Sequence, residues 1–323
     1  MLILATDAQK IERDLLAQEA WGQGLTPEGF AERERRLRAQ AWASEVMLTW
    51  LLVDEGGEVL ASCETFRMQS VLQPKGSAGG AVASSTYGVA SVFTEPRLRG
   101  KGYASRMMSL LPAAILERDP AAHAIILFSD VGPAIYARVG YVERPAFDWV
   151  LDPVEGDPGE GVELIGEEEI VSALSLIPRP AEGFVVWPTA GQVDWHLERE
   201  RIYASLLGGS RPTGSGARAG GSVALWACNF KVNELFILLL HANGTRELQA
   251  IVRSAQRTAR RAGLSRVRAW EQPLVAPLLV APLKEGPEGF ERRPREGGLP
   301  MLRPLDPRVS PEDWEVIPRA LWV

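Results

Sequence analysis

The chain has 323 residues, of which 46% are hydrophobic and 24% charged, and a net charge of −6. This length fits two domains, and the composition is that of a soluble globular protein. No apolar run is long enough to span a membrane, and the start lacks the features of a signal peptide, so we expect a cytoplasmic protein with no membrane partner. The acidic balance also argues against a nucleic-acid partner.

The first half alternates strands and helices. Hydrophobic periodicity predicts a strand at 2–5, helices at 8–20 and 27–42, strands at 46–54, 58–69 and 86–94, a helix at 100–118, a strand at 124–128 and a short helix at 131–138. A cluster of proline, glycine and acidic residues at 152–161 then indicates a linker. We therefore predict a first domain at 1–152, a linker at 153–162 and a second domain at 163–323.

The second half repeats part of this order. Its pattern predicts strands at 221–230 and 234–241, a helix at 245–262 and a strand at 265–271. This is the β-β-α-β core of the first half again. The predicted fold class is therefore α/β, of the α+β mixed-sheet kind, in both halves.

Cysteine and histidine are sparse. Cys63 and Cys228 each lie in an apolar, strand-like stretch, which indicates two buried thiols and no disulfide framework. His123, His196 and His241 are scattered, so no metal site is expected.

The most informative segment follows the strand at 86–94. Arg97, Gly100 and Gly102 form an Arg-x-x-Gly-x-Gly pattern before the next helix, and Arg99 and Lys101 add positive charge. The first amides of a helix have no intrahelical partner and carry the positive end of its dipole, so they can bind phosphate oxygens. The glycines remove Cβ atoms that would keep a diphosphate from the backbone. The segment thus predicts a pyrophosphate-binding loop.

Two nucleotide-binding loops fit this segment poorly. A P-loop needs Ser or Thr after its Gly-Lys pair, but Gly102 follows Lys101. A dinucleotide fingerprint needs a third glycine where Ser105 stands.

The pattern that remains resembles the acyl-CoA loop of the GNAT N-acetyltransferase superfamily. A second motif supports the resemblance: after the strand at 124–128, Tyr136 stands four residues before the Gly140-Tyr141 pair, as in the second GNAT motif. The first half therefore resembles a GNAT domain. The second half has Asn243-Gly244 where the loop would be and lacks the tyrosine motif, so it resembles a degenerate GNAT-like domain that does not bind CoA.

The resemblance implies acetyl-CoA as co-substrate and no metal. In GNAT proteins the strand before the loop splays from its neighbour, and its free backbone groups hold the acetyl carbonyl and the pantetheine arm. The implied cofactor-binding residues are Val92, Phe93, Thr94, Arg99, Gly100, Lys101, Gly102, Tyr103, Ala104 and Ser129. Tyr136 is the implied catalytic acid for the leaving thiolate; a packed core tyrosine is the alternative.

The residues of several motifs, in both halves, are similar to those of the fungal lysine N-acetyltransferase family. The matching segments are 87–94, 99–105, 129–132, 136–138, 195–199 and 321–323. That family acetylates the side-chain amine of free lysine. The resemblance therefore implies a small-molecule amine such as lysine as acceptor.

The base that would take the amine proton is less evident. Glu64 is the candidate catalytic base because it is an acid inside an apolar run, although it could equally lie on a solvated strand face. Asp130 and Glu95 are fallback candidates, and Asp130 could instead cap the next helix.

His196 and Glu198 could recognise a zwitterionic acceptor, or belong to a salt-paired surface helix. The arginine-rich stretch at 257–268 is read as a solvated face that could also bind an acidic partner. The leading function is acetyl-CoA-dependent N-acetylation of a small amine. The alternatives are acetylation of an aminoglycoside or a protein amine, and an acyl-CoA sensor without turnover.

Overall fold

The structure is a computed structural model, and it describes residues 1–76, 80–157, 161–272 and 290–323. Its helices are α1 (Asp7–Trp21), α2 (Pro27–Ala39), α3 (Ala41–Val46), α4 (Tyr103–Arg118), α5 (Ala134–Ala137), α6 (Ile170–Ser175), α7 (Ala190–Leu207) and α8 (Thr245–Arg261). Within the described ranges, every helix is too short or too polar to cross a lipid bilayer.

The strands form two mixed sheets. The first sheet has the order β1-β2-β3-β4-β5-β15-β6, with β9 paired to β3; the second has the order β14-β7-β13-β12-β11-β10-β8. The strands of the first sheet are β1 (Leu2–Leu4), β2 (Met47–Val53), β3 (Val59–Gln73), β4 (Val82–Phe93), β5 (Ala124–Ser129), β6 (Val142–Glu143), β9 (Gly183–Val186) and β15 (Leu299–Pro304). Those of the second are β7 (Phe147–Leu151), β8 (Val162–Ile165), β10 (Gly216–Ala219), β11 (Ser222–Asn229), β12 (Glu234–His241), β13 (Arg266–Trp270) and β14 (Glu291–Pro294).

The two halves share a common core. In the first, β4 and β5 are parallel and joined through α4; in the second, β12 and β13 are parallel and joined through α8. A parallel pair needs such a crossover, and a helix supplies it here. The predicted α/β mixed-sheet class is confirmed in both halves.

The two sheets exchange strands. The strand β7, which precedes the predicted linker, pairs with β13 and β14 of the second sheet. The late strand β15 pairs with β5 and β6 of the first sheet, and β9 pairs with β3. The boundaries 1–152, 153–162 and 163–323 stay a prediction, since sheet membership crosses them in both directions. Residues 158–160 of the linker lie outside the described residues.

Local signals set most element ends. Thr26 caps α2 by accepting from the Gly29 amide, and Pro27 takes the first helical position. The predicted helix at 27–42 is two helices, because Gln40 is extended between α2 and α3. The helix expected at 131–138 is only the four residues of α5. Pro112 lies inside α4, which continues to Arg118.

Candidate active site

The strands β4 and β5 separate at their carboxyl ends. Their pairing runs from Thr86 opposite Ala124 to Val89 opposite Leu127 and stops there, although β4 continues to Phe93 and β5 to Ser129. The splay implied by the GNAT resemblance is therefore present. It leaves backbone groups of 90–93 facing a gap beside β5.

A bulge on the other side of β4 bends the strand at the same level. Phe93 lies opposite Ser62 and Ala90 opposite Glu64, so two residues of β4 face the single Cys63 of β3. One of the two, Ser91, has a φ of 53°. Such a left-handed conformation costs a non-glycine residue about 1 to 2 kcal/mol, so the surrounding structure must hold it.

Arg13 of α1 holds this bulge. Its guanidinium donates to the Ser91 carbonyl oxygen at 3.1 Å, to Ser62 Oγ at 3.0 Å and to Glu64 Oε1 at 2.7 Å. One buried side chain thus joins α1, β3 and β4. The arginine fixes both the bulged backbone and the carboxylate expected to be the base.

The predicted phosphate loop has the geometry of an anion cradle. Gly100 and Gly102 have φ values of 78° and 79°, and a Cβ atom on either would meet nothing within 4 Å. The first helical hydrogen bond of α4 runs from the Arg106 amide to the Gly102 carbonyl. Among the described residues, the amides of 100–105 have no protein acceptor. The donor set fits a pyrophosphate.

The basic side chains at the loop differ in whether they already have a protein partner. Arg97 is paired with Glu58 and Glu95, and Arg99 Nε donates to the Thr94 carbonyl oxygen at 3.1 Å. Lys101 is exposed. Lys101 therefore remains the cation best able to meet a phosphate.

A cavity of about 460 Å³ lies beside the splay and is lined by both halves of the chain. The predicted residues that line it are Glu64, Val92, Ser129, Asp130 and Tyr136. The loop at 99–104 lies outside the cavity lining, at the start of α4. The predicted phosphate loop and the cavity therefore lie at different places beside the splay.

Tyr136 lies on the wall of the cavity. Its side chain is 8% exposed, and its ring meets that of Tyr141 edge to face at 6.0 Å. Burial raises the pKa of the Tyr136 phenol to about 12, and Cys63 and Asp130 raise it less. The structure gives its hydroxyl no partner among the described residues. The phenol is therefore neutral at pH 7 and can donate its proton.

Glu64 is buried rather than solvated, with 4% of its surface exposed. Its carboxylate lines the cavity and accepts from Arg13. The solvated strand face considered for it is therefore wrong. Its part as base stays a prediction.

The other predicted site residues divide between the cavity and its surroundings. Phe93 is buried against Trp21, with ring centroids 5.5 Å apart. The Asp130 carboxylate accepts from the Gly298 amide at 2.8 Å, so it does not cap α5, whose first turn has no side-chain cap. The Glu95 carboxylate pairs with Arg97 away from the cavity.

Helix α7 carries the predicted pair His196 and Glu198. Burial lowers the pKa of His196 well below its usual range, and its Nε2 lies 3.4 Å from the Ala320 carbonyl oxygen. Glu198 accepts from Arg36 and Arg201. Neither residue lines the cavity in the described structure, and Glu198 belongs to a salt-paired network as the alternative had it.

Sequence reasoning missed most of the charged lining. The first half supplies Asp14 paired with Arg38, and Glu34 paired with Arg33. Burial raises the pKa of Glu34. These residues lie in α1 and α2, where polar helix positions give no sign that they face a cavity. The second half supplies three cations, Arg199, Lys231 and Arg319.

The structure shows the surroundings of both cysteines and of two arginines in the stretch at 257–268. Cys63 and Cys228 are free and buried, and burial raises the pKa of the Cys63 thiol to about 12. In the arginine-rich stretch, Arg260 pairs with Glu155, and Arg268 pairs with Asp148 and Glu234. No group of three potential metal ligands occurs in the described part of the chain.

Comparisons with known proteins agree with this geometry. Residues 172–319 match the model of a family described as the LYC1 GNAT-like C-terminal domain. A lysine acetyltransferase of Yarrowia lipolytica is 24% identical over 317 residues, covering 78% of this chain and 79% of the relative.

Solved structures share the fold. A GCN5-related N-acetyltransferase from Kribbella flavida superposes with a TM-score of 0.56 at 19% identity, over 95% of this chain and 71% of that one. A tandem GNAT protein from the clavulanic acid biosynthesis pathway gives a TM-score of 0.52 at 14% identity, over 95% of this chain and 99% of that one.

The fold and these comparisons show that the chain is similar to GNAT N-acetyltransferases. Within that superfamily, its second half matches the LYC1-like domain, and the whole chain is similar to the Yarrowia lysine acetyltransferase. The predicted superfamily is confirmed.

Proposed function

We propose that the protein transfers an acetyl group from acetyl-CoA to a primary amine of a small molecule such as lysine. One observation carries the proposal: β4 separates from β5 between a loop of free amides at the start of α4 and a cavity lined by Tyr136, whose phenol is protonated. Acetyl-CoA supplies an activated acetyl group as a thioester. The cytoplasmic location expected from sequence remains part of the proposal.

The loop, the end of β4 and the cavity have different roles in this reaction. The amides of 100–105 and Lys101 hold the pyrophosphate, as the positive end of a helix favours. The part of β4 beyond Val89, which has no partner on β5, orients the acetyl carbonyl through its backbone amides, and donors aimed at a developing oxyanion are worth a few kcal/mol each. A cavity lined by both halves limits the water that can compete with the amine.

Two residues that line the cavity, Tyr136 and Glu64, would transfer the protons of the reaction. The amine nitrogen bonds to the acetyl carbon as the carbon–sulfur bond breaks, and the Tyr136 hydroxyl gives its proton to the leaving sulfur. A thiol has a pKa near 8 to 9, so a phenol near 12 donates only because it is held in place. The ammonium form of the amine first loses a proton to the Glu64 carboxylate, directly or through water, and Glu64 later releases that proton to solvent. After the attack, a second proton leaves the nitrogen and restores the Tyr136 phenol.

The second half binds no CoA in this proposal. A Cβ atom on Gly244 would lie 2.7 Å from Glu247 Oε2, so an acidic side chain occupies the start of α8. A carboxylate there satisfies the helix dipole and repels phosphate. One acetyl-CoA per chain is expected, bound by the first half.

The test is release of free CoA thiol from acetyl-CoA across a panel of amines. We expect strong release with lysine and near loss in Tyr136→Phe. If an aminoglycoside or a protein amine is acetylated faster than lysine, that amine replaces lysine as the proposed acceptor. Tight acetyl-CoA binding without turnover on any amine would favour the sensor.

A further inference from the structure

A lysine of the chain itself lies on the wall of the cavity. The structure describes Lys10, Lys75, Lys101 and Lys231, and of these Lys231 alone lines the cavity; Lys284 lies outside the described residues. Val92 of β4 and Tyr136 line the same cavity. The protein therefore carries a primary amine of its own beside the strand end to which the proposed reaction brings the acetyl group.

A short turn between β11 and β12 holds this lysine in place. The Lys231 amide donates to Asn229 Oδ1 at 3.1 Å, and Asn233 ends the turn with a φ of 58°. The Asn233 carbonyl oxygen accepts from the Ser265 amide at 3.0 Å, which ties the turn to the start of β13. The backbone that carries the lysine is therefore anchored in the second sheet.

The side chain of Lys231 reaches the first half of the chain. Its Nζ donates to the carbonyl oxygen of Trp21, the last residue of α1, at 2.7 Å. The ring centroids of Trp21 and Phe93 lie 5.5 Å apart, and Phe93 ends β4. The amine is thus held at the helix end that packs on the part of β4 without a partner on β5.

The surroundings of Lys231 favour its neutral form. Burial lowers the pKa of this amine to about 8, Arg33 and Arg199 lower it further, and Glu34 opposes them. These three groups lie on α2 and α7 and line the same cavity. A pKa near 8 leaves about a tenth of the amine neutral at pH 7, against about one part in 2,500 for an ordinary lysine. A neutral amine can keep one N–H on the Trp21 carbonyl oxygen and still attack through its lone pair.

The other described lysines lie in different surroundings. Lys10 pairs with Asp7 at 2.9 Å and Lys75 with Glu315 at 2.6 Å, both in exposed ion pairs. The hydrogen bond to Glu315 raises the pKa of Lys75. Lys101 is exposed at the predicted phosphate loop. Lys10 and Lys75 therefore serve as internal references for a lysine outside the cavity.

We propose that Lys231 is a self-acetylation site, modified by the acetyl-CoA bound to the same molecule. The inference rests on the acetyl-CoA binding of the proposed function and adds an internal acceptor to it. The Lys231 nitrogen bonds to the acetyl carbon as the carbon–sulfur bond breaks, and Tyr136 gives its proton to the leaving sulfur. A proton then leaves the nitrogen and restores the Tyr136 phenol, directly or through water. The products are an acetylated Lys231 and free CoA thiol.

Acetylation at this position changes the cavity. It replaces a cation on the wall with a neutral amide and places an acetyl group in a space of about 460 Å³. The amide N–H can still donate to the Trp21 carbonyl oxygen, so the tie to α1 can persist. Self-acetylated protein should therefore stay folded and acetylate added amines more slowly, as measured by CoA thiol release before and after the modification.

The experiment incubates the full chain with acetyl-CoA that carries an isotopically labelled acetyl group, without any added amine. Intact mass and peptide mapping give the number and position of labelled lysines over time. We expect Lys231 to be labelled about tenfold faster than Lys10 and Lys75, or more, at a rate that saturates with acetyl-CoA and does not depend on protein concentration. Labelling no faster than at Lys10 and Lys75, or a rate that rises linearly with acetyl-CoA throughout, overturns the self-acetylation site.

Matched variants separate transfer at the site from acetylation by acetyl-CoA in solution. Lys231→Arg keeps the charge and a donor for the Trp21 carbonyl oxygen, and it should lose the label. Lys10→Arg should leave the label on Lys231 unchanged. Gly102→Glu, which fills the predicted phosphate cradle, should slow the labelling, whereas Gly263→Glu, with a similar φ and an equally open Cβ position, should not. Equal labelling of Lys231 in the two glycine variants overturns the proposal.

The amine panel keeps this inference distinct from the proposed function. If added amines are acetylated and Lys231 stays unlabelled, the function stands and the self-acetylation site fails. If Lys231 is labelled with saturation by acetyl-CoA and no amine of the panel is acetylated, the self-acetylation site stands and the small-molecule function fails.

Discussion

The guanidinium of Arg13 donates a 3.1 Å hydrogen bond to the carbonyl oxygen of Ser91, the left-handed residue of the β4 bulge. The same arginine pairs with Glu64 at 2.7 Å, and both side chains are almost fully buried. The bend that separates β4 from β5 and the acid on the cavity wall therefore depend on one residue of α1.

Arg13→Met should destabilise the protein and abolish turnover. It leaves the Glu64 carboxylate buried without a partner, which costs about 3 to 5 kcal/mol. Urea unfolding measures the change in the free energy of unfolding. Arg35→Met is the matched control, because it removes an exposed arginine paired with Glu32 on α2 and should change little. Equal losses in the two variants would contradict the assignment.

Glu64→Gln should lower kcat for the amine by about 100-fold or more, because an amide cannot take the amine proton. Its oxygen can still accept from Arg13, so the free energy of unfolding should fall far less than in Arg13→Met. Glu34→Gln is the comparison, since Glu34 also lines the cavity and burial raises its pKa. A larger loss of kcat in Glu34→Gln would move the base to that residue.

Gly102→Glu should weaken acetyl-CoA binding by about 100-fold, because the side chain fills the cradle and repels phosphate. Isothermal calorimetry measures the dissociation constant. Gly263→Glu is matched: its φ of 71° is similar, and its Cβ position is also open. Both variants should lose similar stability through backbone strain, while only the first loses affinity. An unchanged affinity of Gly102→Glu for acetyl-CoA would contradict the assignment of this loop as the pyrophosphate site.

Tyr136→Phe should reduce kcat by about 100- to 10,000-fold, the usual contribution of a positioned acid. The phenol is protonated below its pKa of about 12, so it stays a donor throughout the neutral and alkaline range. The kcat of the parent should therefore show no fall due to this group between pH 7 and 10. A descending limb in that range that disappears in Tyr136→Phe would show a far lower pKa.

Calorimetric titration should give one acetyl-CoA per chain. The acid at the start of α8 prevents a second cradle, so Glu247→Gln removes the charge without adding the missing glycines. We expect that variant to keep a stoichiometry of one. Two sites in the parent would show that the second half is not degenerate.

Elements with local signals could be predicted from the amino-acid sequence. The loop at Gly100 and Gly102, the start of α2 and the β-β-α-β core of the second half all follow from spacing of apolar residues, glycines and caps over a few turns. Backbone sterics and helix ends are short-range, so they can be read from neighbouring residues. The Tyr136 motif belongs with them, and it correctly marked a residue of the cavity.

Contacts between residues far apart in the chain became visible in the folded structure. Arg13 reaches Glu64 across 51 positions, and β7 and β15 join sheets that their place in the chain does not suggest. Arg199 and Arg319 meet around Trp322 because α7 and the last turn pack together. Such pairings are set by packing of the whole core, which leaves no local pattern. The glycine loop before α4 could therefore be predicted from the sequence, whereas the charged lining of the cavity could not.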